Sequence, residues 1–276
     1  MSSPRIRPAA DLSELEDLAG RAAAVDGQRA FNDQALFAAR AGSRTATVLD
    51  WDGEILGAAL TGEGELEAVI DPEYRRRGLG ETLLNAVLQP QIHAAWAHGD
   101  HEGARALALK HGFRRDRVLF QLSAPLSGEA APAESFSTFI PGRDEEAWVA
   151  LNARVFADHP EQGKITVADV LAREAEPWFS AENFLLAREG NNILAYLWLK
   201  VEPGASDGEI YVIGVNPENA GQGLGRRLMN AGLARLRALG LSTASLYVDE
   251  SNSGAVALYR SLGFIEATVD VQYRRI

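Results

Sequence analysis

One stencil is written twice along this chain, and a chain built from two copies of a module folds as two similar domains. Val69-Ile-Asp-Pro72-Glu-Tyr-Arg-Arg-Arg-Gly78-Leu-Gly80 returns as Val215-Asn-Pro217-Glu-Asn-Ala-Gly-Gln-Gly223-Leu-Gly225. The pairs Pro72/Pro217, Gly78/Gly223, Leu79/Leu224, Gly80/Gly225 and Leu83/Leu228 share a single offset. A second echo follows each copy, Ala104-x-x-Leu107-Ala108-x-x-x-Gly112-Phe113 and Ala255-x-x-Leu258-Tyr259-x-x-x-Gly263-Phe264, at a slightly longer offset. The chain is a tandem duplication with a few residues gained or lost between the blocks. The copies differ where chemistry would be done: Tyr259 in the second is Ala108 in the first.

The length of 276 residues suits two domains, each of about 120 to 150 residues and large enough for its own core. A stretch of small residues and prolines after Leu122 has no apolar period and reads as a linker. It divides the chain into domains 1–124 and 137–276, joined by 125–136. A formal charge of −11 argues against a nucleic-acid partner, since neutralising phosphates needs a basic surface. Without cysteine there is no disulfide framework and no thiolate metal site. No apolar run approaches the roughly 18 residues of a membrane span, and the first residues lack a signal-peptide core, so a cytoplasmic monomer is expected.

Glu209–Val215 is rich in β-branched and aromatic residues and predicts a strand that Pro217 ends. From Gly225, apolar residues Leu228, Met229, Leu233 and Leu236 recur at helical spacing up to Gly240. Ser245–Asp249 predicts a further strand and Ser253–Leu262 a further helix. The first copy repeats the order with Glu67–Ile70, Glu81–Leu88, Ile92–Ala97 and Gly103–Lys110. Strand, helix, parallel strand, helix implies an α/β sheet with a right-handed crossover.

A Gly-x-Gly turn at the mouth of a helix lets backbone approach a ligand and aims free N–H groups outward. Gln222-Gly223-Leu224-Gly225-Arg226 and Arg77-Gly78-Leu79-Gly80-Glu81 are each placed to cradle a pyrophosphate at the positive end of a helix. A Gly-rich turn is also a common structural device, and the signal gains weight from its repetition. The pattern Val215-x-Pro217-x-x-x-x-x-Gly223-x-Gly225, followed by Asn252-x-x-Ala255-x-x-Leu258-Tyr259-x-x-x-Gly263-Phe264, resembles the acetyl-CoA signatures of the GNAT N-acetyltransferases, in both halves. That resemblance implies two tandem GNAT domains, each a mixed, mostly antiparallel α/β sheet with a central parallel strand pair and flanking helices. A narrower likeness rests on Trp96-Ala-His-Gly99, Asp158-His-Pro-Glu-Gln-Gly163, Glu176-Pro-Trp178-Phe179 and Trp198-Leu-Lys200. It is to tandem members of the family that acetylate the cysteinyl amine of a cysteine, glucosamine and inositol conjugate, with acetyl-CoA as donor and no metal.

The resemblance implies acetyl-CoA contacts in the second copy at Ile213, Gly214 and Val215, at Ala220, Gly221, Gln222, Gly223, Leu224, Gly225 and Arg226, and at Asn252, Ser253, Gly254, Ala255, Val256 and Ala257. In the first copy it implies contacts at Ala68, Val69 and Ile70 and at Arg76, Arg77, Gly78, Leu79, Gly80 and Glu81. Acceptor contacts carry over to Lys200, Glu209, Tyr247 and Glu161, with Asp33 where the family tends to have Glu. Ala220 departs from the Gln or Arg usual in such loops, so a side-chain contact is lost there while backbone contacts are spared, and Gln222 is placed to compensate.

An α-amino group with a pKa near 7.7 to 8 is largely ammonium at neutral pH and cannot attack until a base takes a proton. Glu209, at the head of its strand, is the candidate base, acting through a water; the competing reading is a solvated strand-end carboxylate. Tyr259 would face the departing sulfur, and its competing reading is a core aromatic on an amphipathic helix. A phenol near pKa 10 giving its proton to a thiolate whose acid is near 8.5 runs uphill by about 2 kcal/mol, so a hydrogen bond to the developing charge is expected instead. With Ala108 in place of the tyrosine, the first copy is expected to bind acetyl-CoA without turnover, or to support the second. His98 and His101 read as surface histidines, and Arg75, Arg76 and Arg77 as partners of CoA phosphates. Two alternatives stay open at this point: another GNAT acceptor, such as a peptide N-terminus or an aminoglycoside, and a non-enzymatic acetyl-CoA sensor.

Overall fold

The computed structural model describes residues 4–127, 134–157 and 162–276. The chain forms two compact units. One holds residues up to Phe120 together with Asp249–Ser251 and Ala267–Ile276; the other holds Gln121–Val248 and Asn252–Glu266. These units are not contiguous along the chain, unlike the domains 1–124 and 137–276 read from composition. The end of the chain joins the first unit, for a reason found in its sheet.

In the first unit the elements are β1 (Arg5–Pro8), α1 (Ser13–Asp26), α2 (Asp33–Arg40), β2 (Thr45–Trp51), β3 (Glu54–Gly62), β4 (Glu65–Ile70), α3 (Leu79–Val87), β5 (Ala94–His98), α4 (Glu102–Lys110) and the start of β6 (Phe113–Pro125). Strands β1 to β4 are antiparallel neighbours, and β4 and β5 form a parallel pair. The far side of β5 needs a partner for its backbone groups. The last strand of the chain supplies it: Val271 pairs with Ala97 and Tyr273 with Ala95. A core of Leu15, Leu18 and Ala22 from α1, Phe31 and Ala35, and Val48, Ala58, Leu60 and Val69 from the sheet fills the space between helices and strands. The spacing of Leu15, Leu18 and Ala22 puts them on one helix face, and Gly27 in the left-handed conformation ends that helix.

The second unit contains β7 (Ser137–Thr138), α5 (Glu145–Val155), α6 (Val167–Glu174), β8 (Phe184–Glu189), β9 (Asn192–Lys200), β10 (Asp207–Val215), α7 (Leu224–Ala238), β11 (Thr243–Asp249), α8 (Ser253–Ser261) and the start of β12 (Ile265–Arg275). Strands β8, β9 and β10 are antiparallel, and β10 and β11 are the parallel pair. One face of this sheet packs an aromatic core: Trp198 is stacked on Phe184 at 4.5 Å, and Trp148 stands edge-on to Tyr196. The other face lies under α7, where a side chain at Gly232 would come within 2.8 Å of Leu197, so the helix seats closely because that residue has no Cβ. Each unit is thus a mixed, mostly antiparallel sheet with one parallel pair and flanking helices, as the resemblance implied. No helix among the described residues is long and apolar enough to cross a membrane.

Candidate active site

Both parallel pairs come apart in the same place. In the first unit β4 meets β5 at Glu65, Leu66 and Glu67, and the register ends there while pairing to β3 runs on to Ile70. In the second, β10 meets β11 from Asp207 to Ile210, while pairing to β9 runs on to Val215. The freed edges are Ala68–Ile70 and Ile213–Val215, the stretches assigned to coenzyme from the sequence. A backbone edge released on one side while held on the other offers its donors and acceptors to an extended amide-bearing ligand, as a pantetheine arm is.

Each freed edge leads into a turn of the same shape. Asp71 and Asn216 accept hydrogen bonds from the backbone of Glu73 and Glu218 and start a short 3-10 turn at Pro72 and Pro217. Left-handed residues follow at Arg76 (φ 63°) and Gly78 (φ 83°) in the first copy and at Gly221 and Gly223 (both φ 76°) in the second. Gly78 and Gly223 then start α3 and α7 without a side-chain cap. The first N–H groups of both helices are left for an anion. Even the contact behind the turn is repeated: a Cβ at Gly80 would meet Leu107 at 3.0 Å, and one at Gly225 would meet Leu258 at 3.7 Å.

The turns differ in their charge. Arg226 is exposed and bonded to Ser261, whereas its counterpart Glu81 is paired with Lys110. Gln222 is exposed beside the second turn. The N–H of Ala220 is taken by the Pro217 carbonyl at 3.2 Å, so that residue keeps less for a ligand than the sequence reading allowed. Of the three arginines in the first turn, Arg75 is occupied elsewhere: it grips Asp26 with two bonds of 2.7 Å and reaches the carbonyl of Ile70. Its place among phosphate partners is therefore withdrawn. Arg76 is exposed, and Arg77 lies over the ring of Tyr74. Leu79 and Leu224 point inward and are buried. A cavity of about 570 Å³ in the first unit is lined by Ala68, Ile70, Arg76, Gly80, Leu107 and Ala108.

In the second unit three of the residues expected to contact the acceptor, Lys200, Glu209 and Tyr247, share a sheet face. Glu209 stands directly opposite Lys200 on β9 and Ser245 on β11, so their side chains project together, and Tyr247 follows two residues after Ser245 on that face. Tyr247 is exposed, and Lys200 lies over the ring of Trp178. Asn252 caps α8 by accepting from the Ala255 N–H, and Ser253, Gly254, Ala255, Val256 and Ala257 form its first turns. Tyr259, further along α8, is 6 % exposed against Phe264. Burial pushes its phenol up to about 12. Asp33 begins α2 in the first unit, exposed and paired with Arg29. Glu161, and the Asp158–Pro160 segment before it, lie outside the described residues.

His98 is not a surface histidine. Its Nε2 meets Glu67 and its Nδ1 meets Asp270, both at 3.1 Å. Its imidazole pKa is raised to about 10; the burial that opposes the charged form is outweighed by hydrogen bonds and charges from the two carboxylates. Glu67 is fully buried, and it also accepts from the backbone and side chain of Asn32 and from Arg44. On the corresponding face of the first unit, then, carboxylates are spent on internal ion pairs, Glu65 with Arg44 among them. Arg173 and Tyr211 meet beside Trp178 in the second unit and carry no signal in the sequence. Nothing in a strand-like run marks Tyr211 as special.

The sequence model of the Acetyltransferase (GNAT) family matches residues 12–113 and 148–264. The mycothiol acetyltransferase of Thermobispora bispora is 46% identical, with 94% of each chain covered. That of Clavibacter michiganensis is 45% identical, covering 98% of this chain and 94% of the other. Among solved structures, a GCN5-related N-acetyltransferase from Sphaerobacter thermophilus superposes with a TM-score of 0.75 at 22% identity, covering 99% of this chain and 95% of that one. A tandem GNAT protein of the clavulanic acid pathway gives 0.70 at 18% identity, covering 98% of both. The two solved structures share the fold, the family match takes in both copies of the stencil, and the chain therefore belongs to the GNAT acetyltransferase family and is an acyltransferase.

Proposed function

We propose that this acyltransferase moves the acetyl group of acetyl-CoA onto the cysteinyl amine of desacetylmycothiol, the cysteine, glucosamine and inositol conjugate, giving mycothiol and CoA. Near-full-length identity to mycothiol acetyltransferases supports the acceptor. The observation that carries the site is the juxtaposition of Glu209, Lys200 and Tyr247 on one face beside the freed edge Ile213–Val215. Purified protein should consume acetyl-CoA far faster with this conjugate than with peptides or aminoglycosides. The reverse preference would remove the acceptor assignment and leave the acyltransferase.

In this reading the Gly221–Arg226 turn and the uncapped start of α7 hold the pyrophosphate, α8 closes over the pantetheine, and the thioester arrives where β10 and β11 part. Glu209 takes the ammonium proton through a water, and the free amine attacks the thioester carbon. The tetrahedral intermediate then gives up the second nitrogen proton to water and expels the thiolate. Tyr259 does not hand over its proton in concert: from a phenol near 12 to a thiol near 8.5 the transfer runs uphill by roughly 3.5 units, or about 5 kcal/mol. Its Oη hydrogen-bonds the developing thiolate, and among the described residues no hydrogen bond to the Tyr259 hydroxyl competes. A donor waiting in a dry position needs no reorganisation at the moment of reaction.

The first copy, module 1–124 of the duplication, keeps the turn and cavity but has Ala108 where module 137–276 has Tyr259. Its face carries Glu65 and Glu67 in ion pairs with Arg44 and His98. It holds acetyl-CoA through Ala68–Ile70 and Arg76–Glu81 without turning it over.

A further inference from the structure

The strand carrying Glu209 differs between the copies by one residue. In the first unit β4 pairs with β3 without interruption, from Glu65 opposite Gly62 to Ile70 opposite Gly57. In the second, Glu209 opposite Lys200 and Ile210 opposite Leu199 are followed by Val212 opposite Trp198. Tyr211 has no place in that ladder. It is a bulge, and a bulge bends its strand, raises the local twist and re-aims the side chains beside it.

The bulge is held from outside the sheet. Arg173 of α6 donates from Nε to the Tyr211 hydroxyl at 2.9 Å and from Nη1 to the carbonyl of Asp169 at 2.8 Å. Helix α6 is itself fixed at its start by the reciprocal Thr166 and Asp169 capping box. The Tyr211 ring sits 5.3 Å from Trp178 and 5.4 Å from Trp198, and Trp178 in turn carries Lys200. One contact chain thus runs from α6 through the extra residue to the partner of Glu209.

We propose that Arg173 and Tyr211 are positioning residues for acetyl transfer: they pin the bulge, and so fix where Glu209 stands relative to the coenzyme edge Ile213–Val215. The inference rests on Glu209 as the base. The first copy, one residue shorter between its corresponding positions, is the built-in contrast. The pair acts through the bend of the strand, so its effect is read in the alignment of the base.

The test is steady-state kinetics of the full chain with acetyl-CoA and the cysteinyl conjugate. Tyr211→Phe keeps the ring and loses the bond; Arg173→Ala loses it from the other side. Each should lower kcat about tenfold and leave the acetyl-CoA KM within twofold. The double variant should be no worse than either single one, because both remove one interaction. Arg173→Lys, which can still donate, should recover most of the rate. The proposal is overturned if Tyr211→Phe keeps wild-type kcat, if the two losses multiply, or if kcat falls only together with a raised KM and a lowered Tm. Glu209→Gln run alongside separates the two readings: wild-type rates there remove the base, whereas a fall there with an unaffected Tyr211→Phe removes only the positioning pair.

Discussion

Glu209 and His98 show how a neighbour decides what a titratable side chain does. Replacing Glu209 with Gln removes the proton acceptor and nothing of the shape, so activity at pH 7 should fall by roughly 10² to 10⁴. Higher pH should restore part of it, because the acceptor amine then loses its proton to solvent; a pH–rate profile checks this, and an unchanged rate at pH 7 excludes the base. His98 works in the opposite sense. Its folded pKa, about 10, lies above the unfolded value near 6.5, so the folded protein binds the extra proton between those limits. The stability it contributes is fully present below about pH 6.5 and is lost as pH rises toward 10. Urea unfolding of His98→Asn against the parent from pH 6 to 10 should show the gap in midpoint closing as pH rises. A constant gap would contradict the ion-pair account.

At the scale of elements, the strand-turn-helix blocks were legible because glycine and proline leave the backbone few choices. The helix expected over Glu81–Leu88 forms over Leu79–Val87, and the strand expected over Ser245–Asp249 forms over Thr243–Asp249. The return of residues 267–276 to the first unit was hidden, since which edge a strand seeks depends on partners far away in sequence. The bulge at Tyr211 was hidden too: an apolar, β-branched run reads alike with or without an extra residue. His98 looked exposed because Gly99 and Asp100 mark a turn, while its buried partners Glu67 and Asp270 stand far along the chain. The left-handed turn residue offers a prediction with two readouts. Arg76 adopts φ 63° where the second copy has Gly221, a conformation that costs a non-glycine residue on the order of 1 kcal/mol. Arg76→Gly should therefore raise Tm slightly while weakening acetyl-CoA binding at the first copy, by calorimetry. A lowered Tm would show that the guanidinium stabilises the unliganded turn.

For the whole molecule, duplication has left two glycine turns of one shape, and the proposed acceptor face is that of Glu209 and Tyr247 in the second copy. Near-identical geometry at Gly78 and Gly223 argues that both turns bind, while Ala108 and the ion-paired Glu67 argue that one of them is silent. The number of acetyl-CoA molecules bound per chain and the number turned over are then separable quantities. Measured together for the parent and for Tyr259→Phe, they test the division of labour most directly: calorimetry should give two acetyl-CoA bound per chain in both proteins, and CoA release with the cysteinyl conjugate should fall about 10²-fold in the variant alone. Turnover that survives the loss of the Tyr259 hydroxyl unchanged would contradict the account.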